Sequence, residues 1–170
     1  MTEPTKYIGK YRGSVVNNID PMSMARLQVQ VPDVLGAEMS SWALPSFPVA
    51  GNGMGMHVIP PVGAGVWVEF EQGDPSYPMW TGCWYGGATE LPADAQAAVP
   101  GQAPMVLQTQ GKNTLVMSDT PGGPGITLKS PSGASIVIDD TGIHISNGQG
   151  ASIDLVGPSV TINGEAFKVT

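Results

Sequence analysis

Residues 125 to 170 repeat themselves at a fixed step. Gly125-Ile126-Thr127-Leu128 followed by Gly133-Ala134-Ser135-Ile136-Val137-Ile138 returns, 17 residues later, as Gly142-Ile143-His144-Ile145 followed by Gly150-Ala151-Ser152-Ile153-Asp154-Leu155. A third copy opens at Val160-Thr161-Ile162 and closes early at Phe167-Lys168-Val169. Terminal copies of a repeat array are commonly atypical. Each copy carries two apolar-x-apolar triplets separated by Gly, Ser, Asn or Pro, the signal of very short strands joined by tight turns. The pattern therefore predicts a β-solenoid or β-prism.

A single copy buries too little to offset the entropy of ordering its own backbone, so neighbours must cover it. The triplets begin at 126, 136, 143, 153, 160 and 167, so the steps alternate between ten and seven, not the constant six of a single-chain hexapeptide helix. That alternation favours three intertwined chains that close a prism through inter-chain ladders. The predicted inward set is Ile126, Leu128, Ile136, Ile138, Ile143, Ile145, Ile153, Leu155, Val160 and Ile162, with Phe167 and Val169 at the tip. His144 lies between two inward isoleucines and is expected to face outward, where a carboxylate in its place should be tolerated.

The first half reads differently. Lys6–Val16, Ala25–Val31, Val66–Phe70 and Met79–Trp84 read as strands, and Trp42-Ala43-Leu44 as a further short one before a long loop from Pro45 to Gly65. Leu27, Val29 and Val31, like Val66, Val68 and Phe70, alternate with polar or amphipathic residues, so each run has one core face. Five strands in so short a span predict an OB-like barrel. Gly73-Asp74-Pro75 reads as a strand-to-strand turn: Gly tolerates unusual dihedrals, Asp bonds the backbone and Pro fixes φ. Residues 86–104, rich in Ala, Gly and Pro, read as a linker with a helical turn at 93–98. The expected division is a barrel with N-terminal arm over 1–85, a linker over 86–104 and a β-helical spike over 105–170.

The stretch from Pro61-Val62-Gly63 through Val66-Trp67-Val68-Glu69-Phe70-Glu71-Gln72-Gly73-Asp74-Pro75-Ser76-Tyr77-Pro78-Met79-Trp80-Thr81-Gly82-Cys83-Trp84-Tyr85 resembles the OB domain of contractile-tail central spikes. That family includes phage baseplate assembly protein V, the VgrG spike of type VI secretion and the spikes of extracellular injection systems. Its members follow the barrel with an Ile-x-Ile prism, so the resemblance covers nearly the whole chain. It implies an all-β fold, an N-terminal OB-fold barrel followed by a C-terminal intertwined trimeric β-helix. It also implies a homotrimeric, membrane-puncturing spike at the baseplate centre, acting on the target cell envelope when the machine fires. Some members insert a lysozyme-like domain between barrel and prism, and residues 86–104 are too few to hold one. VgrG-type members carry a hub domain before the barrel, so a separate baseplate hub protein is expected here. Family tips either bind metal through a His-x-His pair or carry a separate PAAR-type cap. With no histidine beyond His144, the cap is the expectation.

Other function classes find little support. Net charge is -7 with only seven Lys and Arg, which disfavours nucleic acid because phosphate binding needs a basic stripe. One cysteine, Cys83, and two distant histidines, His57 and His144, make a zinc site within one chain improbable, and no cofactor is expected. The glycines of Gly51-Asn52-Gly53-Met54-Gly55-Met56 lack dinucleotide-binding spacing. Glu69 and Glu71 share an alternation phase but have no partner for acid/base work, and no Gly-x-Ser-x-Gly elbow is present, so no enzyme activity is expected. No apolar run is long enough to span a membrane, and Met1–Lys6 lacks a signal-peptide apolar segment. Assembly in the cytoplasm into a phage tail or phage-tail-like particle is therefore expected. The rival reading is an OB-fold carbohydrate-binding module on a trimeric stalk, with Trp80, Trp84 and Tyr85 as a stacking platform.

Overall fold

The computed structural model describes residues 5–99, 101–164 and 166–169. Among the sequence assignments, Met1–Pro4 of the N-terminal segment, Pro100 of the linker and Thr170 beside the tip fall outside them, as does the side chain of Val169. The chain is all-β apart from short helical turns and divides into two compact units, Met1–Gly87 and Ala88–Thr170.

In the first unit β1 (Tyr11–Asn17), β2 (Gln28–Gln30), β3 (Leu44–Pro45), β6 (Gly65–Phe70) and β7 (Pro78–Trp84) form one sheet in the order β2-β1-β6-β7-β3. Its two edges meet. Residues just before β3 turn back on β2, with Leu27 and Ala43 exchanging backbone hydrogen bonds of 3.0 and 2.7 Å and Ser40 N–H donating to Val29 O at 2.9 Å. The Ser40 hydroxyl completes the seam by accepting from Val29 N–H at 3.0 Å. Closure removes unpaired edges and encloses Val15, Leu27, Val29, Val31, Ala43, Val66, Val68, Phe70 and Trp80, the barrel core. The alternation in 27–31 and 66–70 thus selects the inward residues as expected.

Three boundaries differ from the sequence reading, each for a local reason. The first strand starts at Tyr11, not Lys6, because Gly9 takes φ +98° and Tyr7 N–H instead donates to Gly73 O at 2.9 Å. The second is confined to 28–30 because Ala25 is left-handed at φ +60°. The loop from Pro45 to Gly65 contains a hairpin of its own, β4 (Ala50–Gly51) and β5 (Met54–Gly55), turning at Asn52-Gly53.

In the second unit α2 (Ala93–Gln96; α1 is the single turn Pro32–Leu35 of the barrel) supplies the expected helical turn. It precedes eight strands: β8 (Met105–Gln108), β9 (Thr114–Met117), β10 (Ile126–Lys129), β11 (Ser135–Ile138), β12 (Gly142–Ser146), β13 (Ser152–Val156), β14 (Ser159–Ile162) and β15 (Phe167–Val169). Every strand pairs antiparallel with its neighbour in sequence, giving one meander sheet. Ladders expected between chains are therefore made inside one chain. The turns explain this: Gly133, Gly148 and Gly164 adopt positive φ and let each strand double back at once.

Removing the Ser40 hydroxyl tests the barrel seam. Ser40→Ala leaves the Val29 N–H buried without a partner and should cost about 1–3 kcal/mol in denaturant unfolding, whereas Ser41→Ala, on an exposed hydroxyl, should be near neutral. Equal effects of the two would contradict the seam.

Candidate functional site: the apolar face of the meander

Register decides what the meander presents. Ile126 lies opposite Ile138, Leu128 opposite Ile136, Ile138 opposite Ile143 and Ile136 opposite Ile145. Leu155, then Val160, continue the first row, and Ile153, then Ile162, the second. Directly opposed residues point to the same side of a sheet, and residues two apart in one strand do as well. All ten inward candidates therefore share one face, in two parallel rows.

The rows extend further than the repeat suggested. Met117 lies opposite Ile126 and Leu115 opposite Leu128, and these pair in turn with Met105 and Leu107. At the other end Phe167 lies opposite Ile162, and the Val169 backbone opposite Val160. The triplets Met105-Val106-Leu107 and Leu115-Val116-Met117 carry the same apolar-x-apolar signal but stand outside the 17-residue step, which is why the repeat alone missed them.

Among the described residues, this face has no cover. Nine of the ten candidates, all but half-buried Val160, are between 36% and 47% exposed, and Phe167 is 59% exposed. Among the described residues every fully buried apolar side chain belongs to the first unit. A contiguous apolar face of this extent marks an association surface.

The opposite face carries Thr127, Val137, His144, Asp154 and Thr161 in register. His144 is held from both sides. Its Nδ1 lies 2.8 Å from Asp154 Oδ1, and its Nε2 lies 2.9 Å from Thr141 Oγ1 and 3.6 Å from Asp139 Oδ1. Thr141 donates its one hydroxyl proton to Asp139 at 2.6 Å, so its oxygen is left to accept from the ring. When the ring is protonated, both of its nitrogens can donate in this arrangement. The hydrogen bond to Asp154, with the charges of Asp139 and Asp154, raises the His144 pKa above its usual 6.5. The Thr141 hydroxyl and the backbone N–H groups of Thr141 and Gly142 lower that of Asp139. The outward placement is as expected, but a carboxylate at 144 would be a third negative group beside two others, so that substitution is not the neutral one the sequence suggests.

The remaining sequence candidates do not gather. Trp80 is 5% exposed inside the barrel, its Nε1–H donating to Ala25 O at 3.0 Å and its ring edge-on to Phe47. Trp84 donates to Val66 O at 3.2 Å and lies beneath the Arg12 guanidinium, which also covers Trp67. Only Tyr85 of the proposed stacking trio presents an open ring. Glu69 pairs with Lys10 at 2.9 Å, and Glu71 leaves the strand for the turn 71–73. In that turn Gly73 takes φ +80°, and a side chain there would meet Lys6 and Tyr7 at 3.0 Å. Asp74 Oδ1 accepts from Ser76 N–H at 2.9 Å, so Gly73-Asp74-Pro75 acts as turn chemistry. His57 is exposed, its ring 6.2 Å from Phe47.

Sequence reasoning overlooked Asp20. Its carboxylate, 3% exposed, accepts from Arg26 at 2.6 Å and from the backbone of Met22, Met24 and Arg26. The Arg26 contact dominates in holding its pKa far below the usual carboxylate range. Arg26 in turn covers the Trp42 ring. An Asp six residues before an Arg is too common a pattern to signal this on its own.

His144 generates a pH prediction. Because its folded pKa is raised, its stabilisation is complete below 6.5 and is lost as pH rises through the higher folded value. The melting temperature of His144→Gln should therefore fall below that of the parent in acid and converge with it at alkaline pH. A constant difference across that window would contradict the pairing.

Comparisons with known proteins agree with this geometry. Residues 11–85 match the family described as the type VI secretion system/phage-baseplate injector OB domain. Residues 104–168 match the phage baseplate V C-terminal trimerisation domain. The chain is also 35% identical over 86 residues to the type VI secretion system spike protein VgrG4b of Pseudomonas aeruginosa PAO1, a match spanning 51% of this chain and 9% of that relative. An OB barrel followed by a self-associating strand meander, matched in that order along nearly the whole sequence, places this chain in the contractile-tail central spike family, as a structural baseplate component.

Proposed function

We propose that the protein is a homotrimeric central spike in which three meanders pack their apolar faces around one axis, and that it pierces the target envelope when the machine contracts. The observation that carries this reading is the double apolar row from Met105 to Phe167, uncovered in a single chain. Three such faces give a closed core by simple cyclic symmetry. The ladders between neighbouring strands are made within each chain, leaving only the β8 and β15 edges open, so side chains seal the prism along its length. Stiffness under axial load is the working property, and the protein performs no catalysis.

Three partners belong to this reading. The barrel docks on a separate baseplate hub, and assembly takes place in the cytoplasm. A PAAR-type cap covers the β15 end, where exposed Phe167 and an edge strand invite a partner. The division into barrel, linker and spike at 1–85, 86–104 and 105–170 is part of the same proposal. A carbohydrate-binding role is disfavoured because Trp80 and Trp84 are committed to internal contacts.

Light scattering should return about three times the 17.6 kDa chain mass. Ile145→Asp should abolish that assembly, because it buries unpaired carboxylates near one axis, while Thr127→Asp on the opposite face should preserve it. A stable folded monomer of the parent chain, or equal loss from both variants, would overturn the trimer.

A further inference from the structure

The chain contains three Asn-Gly steps, 52–53, 147–148 and 163–164. Such a step is chemically labile: the backbone nitrogen of the glycine can attack the asparagine Cγ, since glycine has no side chain to obstruct the approach. The attacking nitrogen loses its proton and ammonia leaves from the carboxamide, forming a cyclic imide. Water then opens either carbonyl of that imide to give aspartate or isoaspartate. No oxidation or reduction is involved, and water is the only co-reactant.

Whether a given step reacts depends on freedom to bring nitrogen and Cγ together. The fold restrains two of the three. Asn147 Oδ1 accepts from the N–H groups of Gln149 and Ala151 at 2.8 and 3.0 Å, and Gly148 N–H donates to Ser146 Oγ at 3.0 Å. A side chain at Gly148 would meet the Gly133 backbone of the β10–β11 turn at 2.6 Å, so the two turns sit close together. Asn163 Oδ1 accepts from Ser152 N–H at 2.9 Å, and Asn163 N–H donates back to Ser152 O at the same distance. Both carboxamides are thus part of the turn structure of the meander.

Asn52 has none of this. It sits at the exposed tip of the β4–β5 hairpin, with no hydrogen bond to its carboxamide and none from Gly53 N–H among the described residues, and with open space around Gly53. We propose that Asn52-Gly53 is a site of spontaneous succinimide formation in the folded protein, while Asn147 and Asn163 are protected by their turns. Each event adds a negative charge to a chain already at -7. The isoaspartate product also lengthens the turn backbone by one atom between Gly51 and Met54, where the loop length sets hairpin register.

The test is peptide mapping of the intact folded chain after incubation in mildly alkaline buffer, beside the same chain unfolded in urea. In the folded protein Asn52 should convert roughly tenfold faster or more than Asn147 and Asn163, since reaction there requires the turns to open first. In urea the three rates should converge. Asn52→Gln should abolish the early acidic species on ion exchange without shifting the melting temperature. Comparable folded-state rates at all three sites, or an early acidic species that survives Asn52→Gln, would overturn the assignment.

Discussion

The register of a single antiparallel ladder governs the second half of this protein. Once Ile126 faces Ile138 and Leu128 faces Ile136, strict alternation carries Ile143, Ile145, Ile153, Leu155, Val160 and Ile162 to the same side. Apart from the outer edges of β8 and β15, the backbone thereby pairs inside one chain, while among the described residues the outer surface of the apolar rows is left uncovered. Hydrogen bonding is thus largely met inside the chain, whereas hydrophobic burial, which most domains achieve together with it, is not. Self-association follows from that separation, and the match to a trimerisation domain agrees with it.

The barrel is organised in the opposite way. Its sheet closes through Leu27, Val29, Ser40 and Ala43, so both pairing and burial are completed within the chain. Around it, short-range polar contacts fix the loops: Asp20 gathers Arg26 and three backbone N–H groups, and Gly73 admits the arm at Lys6 and Tyr7. A self-sufficient barrel beside an association-dependent meander is a reasonable division for a spike. One unit completes its core within the chain, and the other leaves an apolar face open.

The polar face of the meander shows that it too is specified. His144, Asp154, Thr141 and Asp139 join two strands and a turn across the ladder, on the side away from the apolar rows. Such a contact holds register without adding apolar surface. It resists the one-residue slip that would turn the isoleucines outward, to which a two-strand alternating pattern is otherwise exposed.

The sequence by itself determined the alternation and hence the faces. Period-two spacing in 27–31, 66–70 and 126–162 names the inward side chains whatever the strands pair with, because alternation is a property of one extended backbone. The order of a barrel and a repeat was legible too, and the family showed in the resemblance of the 61–85 stretch together with that order. What the spacing could not determine was ladder partnership, since identical triplets can pair within a chain or between chains. Turn geometry settles that, through positive-φ glycines that fold each strand onto the next. The barrel seam at Ser40, the Asp20 cluster and the His144 clip were likewise decided only by tertiary structure. Each joins polar residues whose types are common at any surface, and only their distances in the fold distinguish them from solvated side chains.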